Sequence, residues 1–358
     1  MSVDFEPKLL INVGKIQHNT QSLVSLCEKY KIKVNGVTKA TLGDPIIARA
    51  MKQGGASLIA DSRIQNIQRM IEANIQGPFM LLRSPMMSEI SAVVRWADIS
   101  LNSELEAIKA LGKQAKIQNK THKIILMVEM GDLREGEMPE KLIDLLQSVK
   151  KIQNIELLGL GMNLTCYGAI IPTEEKIQTF SDICKKMEQK LGSSFQMISG
   201  GNSSTIPLLL SDRFVNPSIT DLRLGESILL GRETVARTII PGLHSDAFIL
   251  EAEIIELKKK PSLPSGVVGE DAFGNKPIFV DKGMILHALV ALGHQDIGNY
   301  SDLIPVDPDI EILGASSDHL IINVKSKNYK IGDKISFGLK YGALLAAYTS
   351  PFVQKCYI

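Results

Sequence analysis

Several polar side chains in this chain sit at the ends of apolar runs, where a charge is costly unless it is used. Lys39 closes the run V-N-G-V-T-K, Glu129 and Arg134 end and follow another in M-V-E-M-G-D-L-R-E-G, and Asn163 follows a third in G-L-G-M-N-L-T-C-Y-G. A fourth run ends in I-S-G-G-N-S-S (198–204), and Arg223 lies inside L-R-L-G-E-S. A lysine amine can act as a base or condense with an aldehyde, and burial or a nearby cation tunes it for either. Two adjacent glycines let the backbone approach a ligand, and Ser203 or Ser204 would then cap a helix whose free N–H groups suit an anion. The Gly225-Glu226 turn offers N–H donors to the same anion. Each residue also has a purely structural reading. Lys39 can snorkel at a strand end, the glycine stretch can be a plain turn with an N-cap, and Arg223 can pair with a buried acid such as Glu129.

The elements that must position these residues are read from periodicity. After a strand-like L-L-I-N-V (9–13) and a helical pattern over 13–30, eight apolar runs (32–38, 57–60, 78–82, 98–101, 122–129, 155–160, 196–199 and 219–223) alternate with amphipathic segments. Pro45 and Gly54 bracket one helix and Ser103 is placed as the N-cap of another. Strands alternating with helices imply a parallel sheet, and eight such units closing on themselves make a (β/α)8 TIM barrel, with a doubly wound open sheet as the competitor. In barrels the chemistry collects at the C-terminal strand ends, with phosphate held after strands seven and eight, which is where the residues above fall. From Phe248 onward, F-I-L-E-A-E-I-I-E-L, P-I-F-V, I-L-H-A-L-V-A-L-G, H-L-I-I-N-V and K-I-S-F follow one another with turns between and no long helical pattern, an all-β texture. The division expected is a barrel over 14–235 and a β-rich domain from 1–13 and 236–358, with 258–276 the most loop-like stretch.

At 358 residues, 40 basic and 39 acidic side chains give a formal charge of +1, and no long run of one sign suggests a nucleic-acid or membrane-surface partner. Four scattered cysteines without a C-x-x-C pair, and an N-terminus without a secretory pattern, point to a reduced cytoplasmic setting. No apolar run approaches the roughly 20 residues a spanning helix needs.

A phosphate cradle, a lysine across the mouth from it and arginines to balance carboxylates together describe a site for pyridoxal phosphate, an aldehyde on a phosphorylated ring. The chain resembles the fold-type III pyridoxal phosphate enzymes of the alanine racemase group, and within it the alanine/ornithine racemase branch. The resemblance runs from L-L-I-N-V-G-K-I-Q-H-N through V-T-K-A, M-G-D-L-R-E-G, G-G-N-S-S and L-R-L-G to A-L-G-H-Q-D-I-G, G-A-S-S-D-H and K-I-G-D-K-I-S-F. It implies that Lys39 carries the cofactor covalently and is the base for one face of the substrate Cα. It also implies that Ser203 and the backbone at Gly225 and Glu226 hold the phosphate, with Asn163, Ser199 and Asn202 among the cofactor's neighbours. Arg223 would face the pyridine nitrogen, and Arg134 the phenolic oxygen and the substrate carboxylate.

The chain departs from the group's alanine enzymes at three places. K-A-T-L-G-D replaces K-A-N-A-Y-G-H-G and so lacks an aromatic hydroxyl that helps hold phosphate. Met127 stands where a modified lysine is often found, and His294 aligns with the tyrosine that serves as second base. An imidazole suits either proton-transfer role near neutral pH, although His294 can also be a half-buried histidine at a strand-to-turn junction. Asp318 matches an acid near the active site, with Asp296, His319 and Tyr341 in reserve. The function implied is two-base racemisation of an amino acid, with no metal, and with ornithine as the branch's suggestion. Asp44, Asp132 and Glu135 are candidate acids for a distal ammonium. The alternatives are an alanine or broad-specificity racemase and a basic amino-acid decarboxylase of the same fold type. The β-domain argues against a simple cofactor carrier, and adjacent Asp318-His319 do not supply the separated metal ligands of a D-amino-acid aldolase or dehydratase. A head-to-tail homodimer sharing its active sites is expected with this arrangement.

Overall fold

The computed structural model describes residues 7–211, 214–325 and 328–358, so the first six residues of the expected β-rich domain lie outside it. The chain separates into two compact units, 13–245 and the pair of segments 1–12 and 246–358. Residues 236–245, grouped from sequence with the β-rich part, therefore cluster with the first unit.

The first unit is the closed parallel barrel that the alternation of runs implied. After β1 (Lys8–Ile11), which belongs to the other unit, come α1 (Val13–Glu28) and strands β2 (Lys33–Val37), β3 (Leu58–Asp61), β4 (Phe79–Leu81) and β5 (Ile99–Asn102). They continue as β6 (His122–Met127), β7 (Ile155–Gly161), β8 (Met197–Ser199) and β9 (Asp221–Leu224). The ring closes where Lys33 to Gly36 of β2 lie in register with Asp221 to Leu224 of β9. Intervening helices are α2 (Pro45–Gln53), α3 (Ile64–Glu72), α4 (Ile90–Trp96), α5 (Leu105–Ile117), α6 (Leu142–Val149), α7 (Glu174–Leu191), α8 (Ile206–Leu209) and α9 (Glu226–Leu230).

Local chemistry explains several boundaries. Asp44 accepts the N–H groups of Ile46 and Ile47 ahead of Pro45, and Gly54 ends α2, as N-cap preference and proline at N1 require. Ser103 is not the cap of α5: the helix starts at Leu105 with Glu104 in the cap position and no side-chain cap bond. Val37, Leu58, Ala60, Met80, Ile99, Leu101, Ile125, Met127 and Leu158 fill the barrel, so Met127 is a core side chain. Inward layers of branched and long apolar residues make such a barrel solid and confine its polar work to the rim.

The second unit is an eight-stranded sheet. It contains β10 (Phe248–Pro261), β11 (Met284–Val290), β12 (Leu303–Pro305), β13 (Ile310–Ala315), β14 (Leu320–Val324), β15 (Lys334–Leu339) and β16 (Gln354–Tyr357) in the path β12-β15-β10-β11-β14-β13, with β1 joined to β10 and β16. Two expectations fail. P-I-F-V (277–280) forms no strand; Ile278, Phe279 and Val280 are exposed in the loop between β10 and β11. Besides the one-turn α10 (His294–Ile297) there is a nine-residue helix α11 (Tyr341–Thr349). Its buried Ala343, Leu344, Ala347 and Tyr348 keep helical spacing, but the uniformly apolar A-L-L-A-A run hides it. Among the described residues no helix is long and apolar enough to cross a membrane, no three His, Cys, Asp or Glu side chains cluster as for a metal, and the four cysteines are free.

Candidate active site

Lys39 begins a single 3-10 turn (Lys39–Thr41) directly after β2. Its side chain is exposed while the residues around it are buried. Thr38 Oγ1 donates to Asp61 Oδ2 at 2.8 Å, and Asp61 Oδ1 accepts from Asn66 Nδ2 at 2.9 Å and from the Arg63 N–H at 3.0 Å. Burial pushes the Asp61 carboxyl up, and these bonds oppose it. Gly43, where the alanine enzymes carry their tyrosine, has φ +62°, and a Cβ there would meet Asn66 Cβ at 2.7 Å. The turn that replaces the aromatic motif is therefore pinned by β3 and α3, and it leaves the lysine head free.

Lys39 does not face the β8–β9 end from across the mouth: β9 is the strand next to β2 in the ring, and β8 and β9 form one bonded unit. Ser199 Oγ donates to Asp221 Oδ2 at 2.6 Å and accepts from Arg223 Nη1; Arg223 Nη2 donates to the Met162 carbonyl at 2.6 Å; Asn35 Nδ2 donates to Asp221 Oδ2 at 2.8 Å. Arg223 is 5% exposed. Burial lowers its pKa, while the Asp221 charge pulls the other way, and burial raises Asp221 against the Ser199 bond. Glu129 is not the partner of Arg223: its carboxylate takes the N–H groups of Gly131 and Leu133 and so shapes its own loop.

The glycine stretch caps differently from expectation. Asn202 is the cap, accepting the Ser204 N–H at 2.8 Å, and Ser203 and Ser204 lie inside the short 3-10 turn Ser203–Thr205. Ser203 Oγ meets Ser227 Oγ at 2.9 Å and accepts the Ser227 N–H at 3.2 Å, which ties the turn after β8 to the first turn of α9. Gly200 has no room for a Cβ, which would sit 2.4 Å from Ile219 Cγ2, and Gly201 holds φ +109°. Asn163 Oδ1 accepts from Asn202 Nδ2 at 3.1 Å and its own Nδ2 donates to Cys166 Sγ at 2.9 Å. Arg134 forms a two-point ion pair with Glu135, and that bond raises the pKa of its guanidinium. Glu135 and Arg134 both lie within electrostatic reach of Arg223. Of the acids considered for a distal ammonium, Asp44 caps α2, and Asp132 accepts the N–H groups of Cys166 and Tyr167, joining the loops after β6 and β7.

Lys39, Arg134, Asn163, Ser199, Asn202, Ser203, Arg223, Gly225 and Glu226 thus all belong to the barrel unit and to the C-terminal ends of its strands. Sequence reasoning missed Asp221, Ser227 and Asn35. The first had a readable signal, because residues i and i+2 of a strand share a face and D-L-R puts Asp221 beside Arg223. The donor set fits pyridoxal phosphate. Paired buried hydroxyls and a side-chain-free turn suit a phosphate, a buried donor-only guanidinium suits a pyridine nitrogen, and a free amine suits an aldehyde.

His294 and Asp318 belong to the β-rich unit. His294 Nδ1 is bonded to the Gly298 carbonyl, and its ring packs on Phe273 (centroids 4.4 Å) and Tyr300 (5.9 Å). A carbonyl only accepts, so Nδ1 carries the proton of the neutral ring and Nε2 its lone pair. A Cβ on Gly293 would lie 2.3 Å from Asp318 N and Cα, and the His294 N–H donates to the Ser316 carbonyl at 2.9 Å. The glycine thus brings the His294 and Asp318 segments together. Asp318 is exposed, and hydrogen bonds from Ser317 and His319 hold its carboxyl below the usual range. Asp296 is buried on Ser350 Oγ (2.9 Å) and the Gly293 N–H (3.2 Å), so its part is structural.

Residues 11–231 match the family model "Alanine racemase, N-terminal domain". The chain is 45% identical over 353 residues to an ornithine racemase of Acetoanaerobium sticklandii (98% of this chain, 99% of that one). It is 41% identical over 352 residues to a lysine racemase of Thermotoga maritima (98% of each). Its fold matches the alanine racemase structure from Streptomyces coelicolor with TM-score 0.77 at 15% identity, over 98% of each chain.

Proposed function

The chain belongs to the alanine racemase family, the pyridoxal phosphate-dependent amino-acid racemases, and on that premise we propose that it racemises a basic amino acid such as ornithine or lysine by proton transfer between Lys39 and His294. The observation that carries the assignment of residues is the buried Arg223–Ser199–Asp221 unit, which lies at the same strand ends as Lys39 and the Ser203–Ser227 hydroxyl pair. The basic substrate rests on the relatives' activities.

When bound, pyridoxal phosphate supplies an aldehyde carbon for the substrate amine and an electron-withdrawing ring that acidifies the Cα hydrogen. Arg223 offers only donors, so it would hold a pyridine nitrogen as an acceptor and would disfavour its protonation. Ser203, Ser227 and the turn at Gly225 would hold the phosphate. Lys39 Nζ takes or returns the proton on one face of Cα. Nε2 of His294, freed for that work by the Nδ1 bond to Gly298, serves the other. Arg134 binds the substrate carboxylate. Asp44 and Asp132 are engaged with backbone N–H groups and both carboxylate oxygens of Glu135 with Arg134, so we assign none of the three to the distal ammonium. Since Lys39 and His294 belong to different units, the reading carries with it a head-to-tail homodimer in which each barrel receives His294 from the other copy.

Two measurements test this. Borohydride reduction of the holoprotein should leave the cofactor label on the peptide containing Lys39. In deuterated water, ornithine or lysine should lose optical rotation at constant concentration while gaining α-deuterium. Release of carbon dioxide, ammonia or an aldehyde instead would mark a decarboxylase or lyase.

A further inference from the structure

Directly after α9 the chain folds a small hairpin whose construction the reaction scheme does not use. Arg232 and Ile239 pair across it, the Ile240 N–H donates to the Gly231 carbonyl at 2.8 Å, and the Glu233 N–H donates to the Thr238 carbonyl at 3.1 Å. Its interior is the Glu233 carboxylate, 3% exposed, which accepts from the N–H groups of Val235 (2.6 Å), Ala236 (3.1 Å) and Thr238 (2.7 Å) and from Thr238 Oγ1 (2.9 Å). A buried carboxylate satisfied by four donors fixes the loop tightly. What it fixes is Arg237, a non-glycine residue at φ +61° whose Nη1 is paired with Glu226 Oε1.

Glu226 stands between Gly225 and Ser227, the second member of the hydroxyl pair. Its side chain is 10% exposed. Burial pushes its carboxyl up and Arg237 pulls it down, and Lys39 and Glu233 are within electrostatic reach. A carboxylate at this position is a like charge beside any phosphate dianion held by Ser203 and Ser227, and in a poorly solvated place like charges are costly. The chain answers that conflict with one guanidinium, carried on a loop built around a buried acid.

We propose that Arg237 is an electrostatic positioning residue for the cofactor's phosphate: it neutralises Glu226 so that the Ser203–Ser227 cradle accepts a dianion, taking over part of the task left by the aromatic hydroxyl that Gly43 replaces. The proposal rests on the phosphate reading of that cradle. Its signature is a penalty that depends on the phosphate and on Glu226 together.

The test is a dissociation constant for the full-length chain, freed of cofactor, with pyridoxal phosphate and with pyridoxal as probes. Arg237→Gln should weaken pyridoxal phosphate at least about tenfold and leave pyridoxal within about twofold. Arg237→Lys should keep most of the affinity, and Glu226→Gln should not weaken binding. The double variant should return to within about threefold of Glu226→Gln alone. Thermal unfolding of each variant separates lost binding from lost fold. Equal weakening of both probes by Arg237→Gln, no weakening, or a double variant no better than Arg237→Gln would overturn the role of Arg237. If wild type binds the two probes equally, or Ser203→Ala leaves their ratio unchanged, the cradle reading itself falls and takes this proposal with it.

Discussion

At the β8–β9 end of the barrel, Asn35, Ser199, Asp221 and Arg223 are all buried and satisfy one another, whereas Lys39 and Arg134 are exposed and His294 is only half-buried. The second set is held by its backbone or by one neighbour: Lys39 by the Thr38–Asp61 bond beneath it, Arg134 by Glu135, His294 by the Gly298 carbonyl. The contrast suits the roles proposed above for each group. A guanidinium that sets the electronic character of a ring must not move, so it is locked where burial makes any loss of a partner expensive. An amine or imidazole that carries a proton must reach a substrate, so its base is fixed and its tip is left open.

Breaking the open set should therefore abolish chemistry without unfolding the chain. Lys39→Ala is expected to lower racemisation by about a thousandfold or more, the scale of losing both the covalent attachment and one base, with thermal unfolding unchanged. A fall in stability comparable to that of core variants would erase the distinction drawn here. His294→Asn comes next. General acid–base groups contribute roughly a hundredfold to ten-thousandfold, and the lower end is expected, with a specific asymmetry: α-deuterium uptake by one enantiomer should survive while that by the other is lost. Symmetric loss would mean that His294 is not the second base.

Breaking the locked set should do the opposite. Ser199→Ala removes the hydroxyl shared by Arg223 and Asp221 and leaves a buried donor and a buried carboxylate each short of a partner, at a cost of about 1–3 kcal/mol. Denaturant unfolding of the cofactor-free chain reads that cost directly. If stability is unchanged and only turnover falls, the β8–β9 unit is not the rigid member of the pair.

The same contrast explains what the sequence made legible. Strand ends carrying Lys39, Arg134 and Arg223 stood out because a charge beside an apolar run is conspicuous, and eight alternating runs led to the closed barrel. What stayed hidden were partners chosen by tertiary contact. Glu129 looks like the acid for Arg223, but a short loop captures it, and Asp221, two residues away on the same strand, takes its place. Asn202 caps the turn instead of Ser203 because the serine hydroxyl is already engaged with Ser227. In the β-rich unit, P-I-F-V has strand composition but no strand to pair with, and α11 is too evenly apolar to show a period.

The smallest effect expected is at Phe273, and it sharpens the open side of the comparison. Phe273 sits in the loop between β10 and β11, where Asp271 Oδ1 accepts its N–H at 2.8 Å, and its ring lies 4.4 Å from that of His294. A tilted ring pair of this kind contributes about 0.5–1.5 kcal/mol, enough to bias which way the imidazole faces but not to hold the loop. Phe273→Ala should leave stability within error and slow racemisation by roughly threefold to tenfold. Nitrogen-15 spectra of the histidine side chains should show the Nδ1–H form of His294 giving way to a mixture. An unchanged tautomer with unchanged turnover would mean that the Gly298 carbonyl alone aims Nε2, and that the histidine needs no more support than the lysine does.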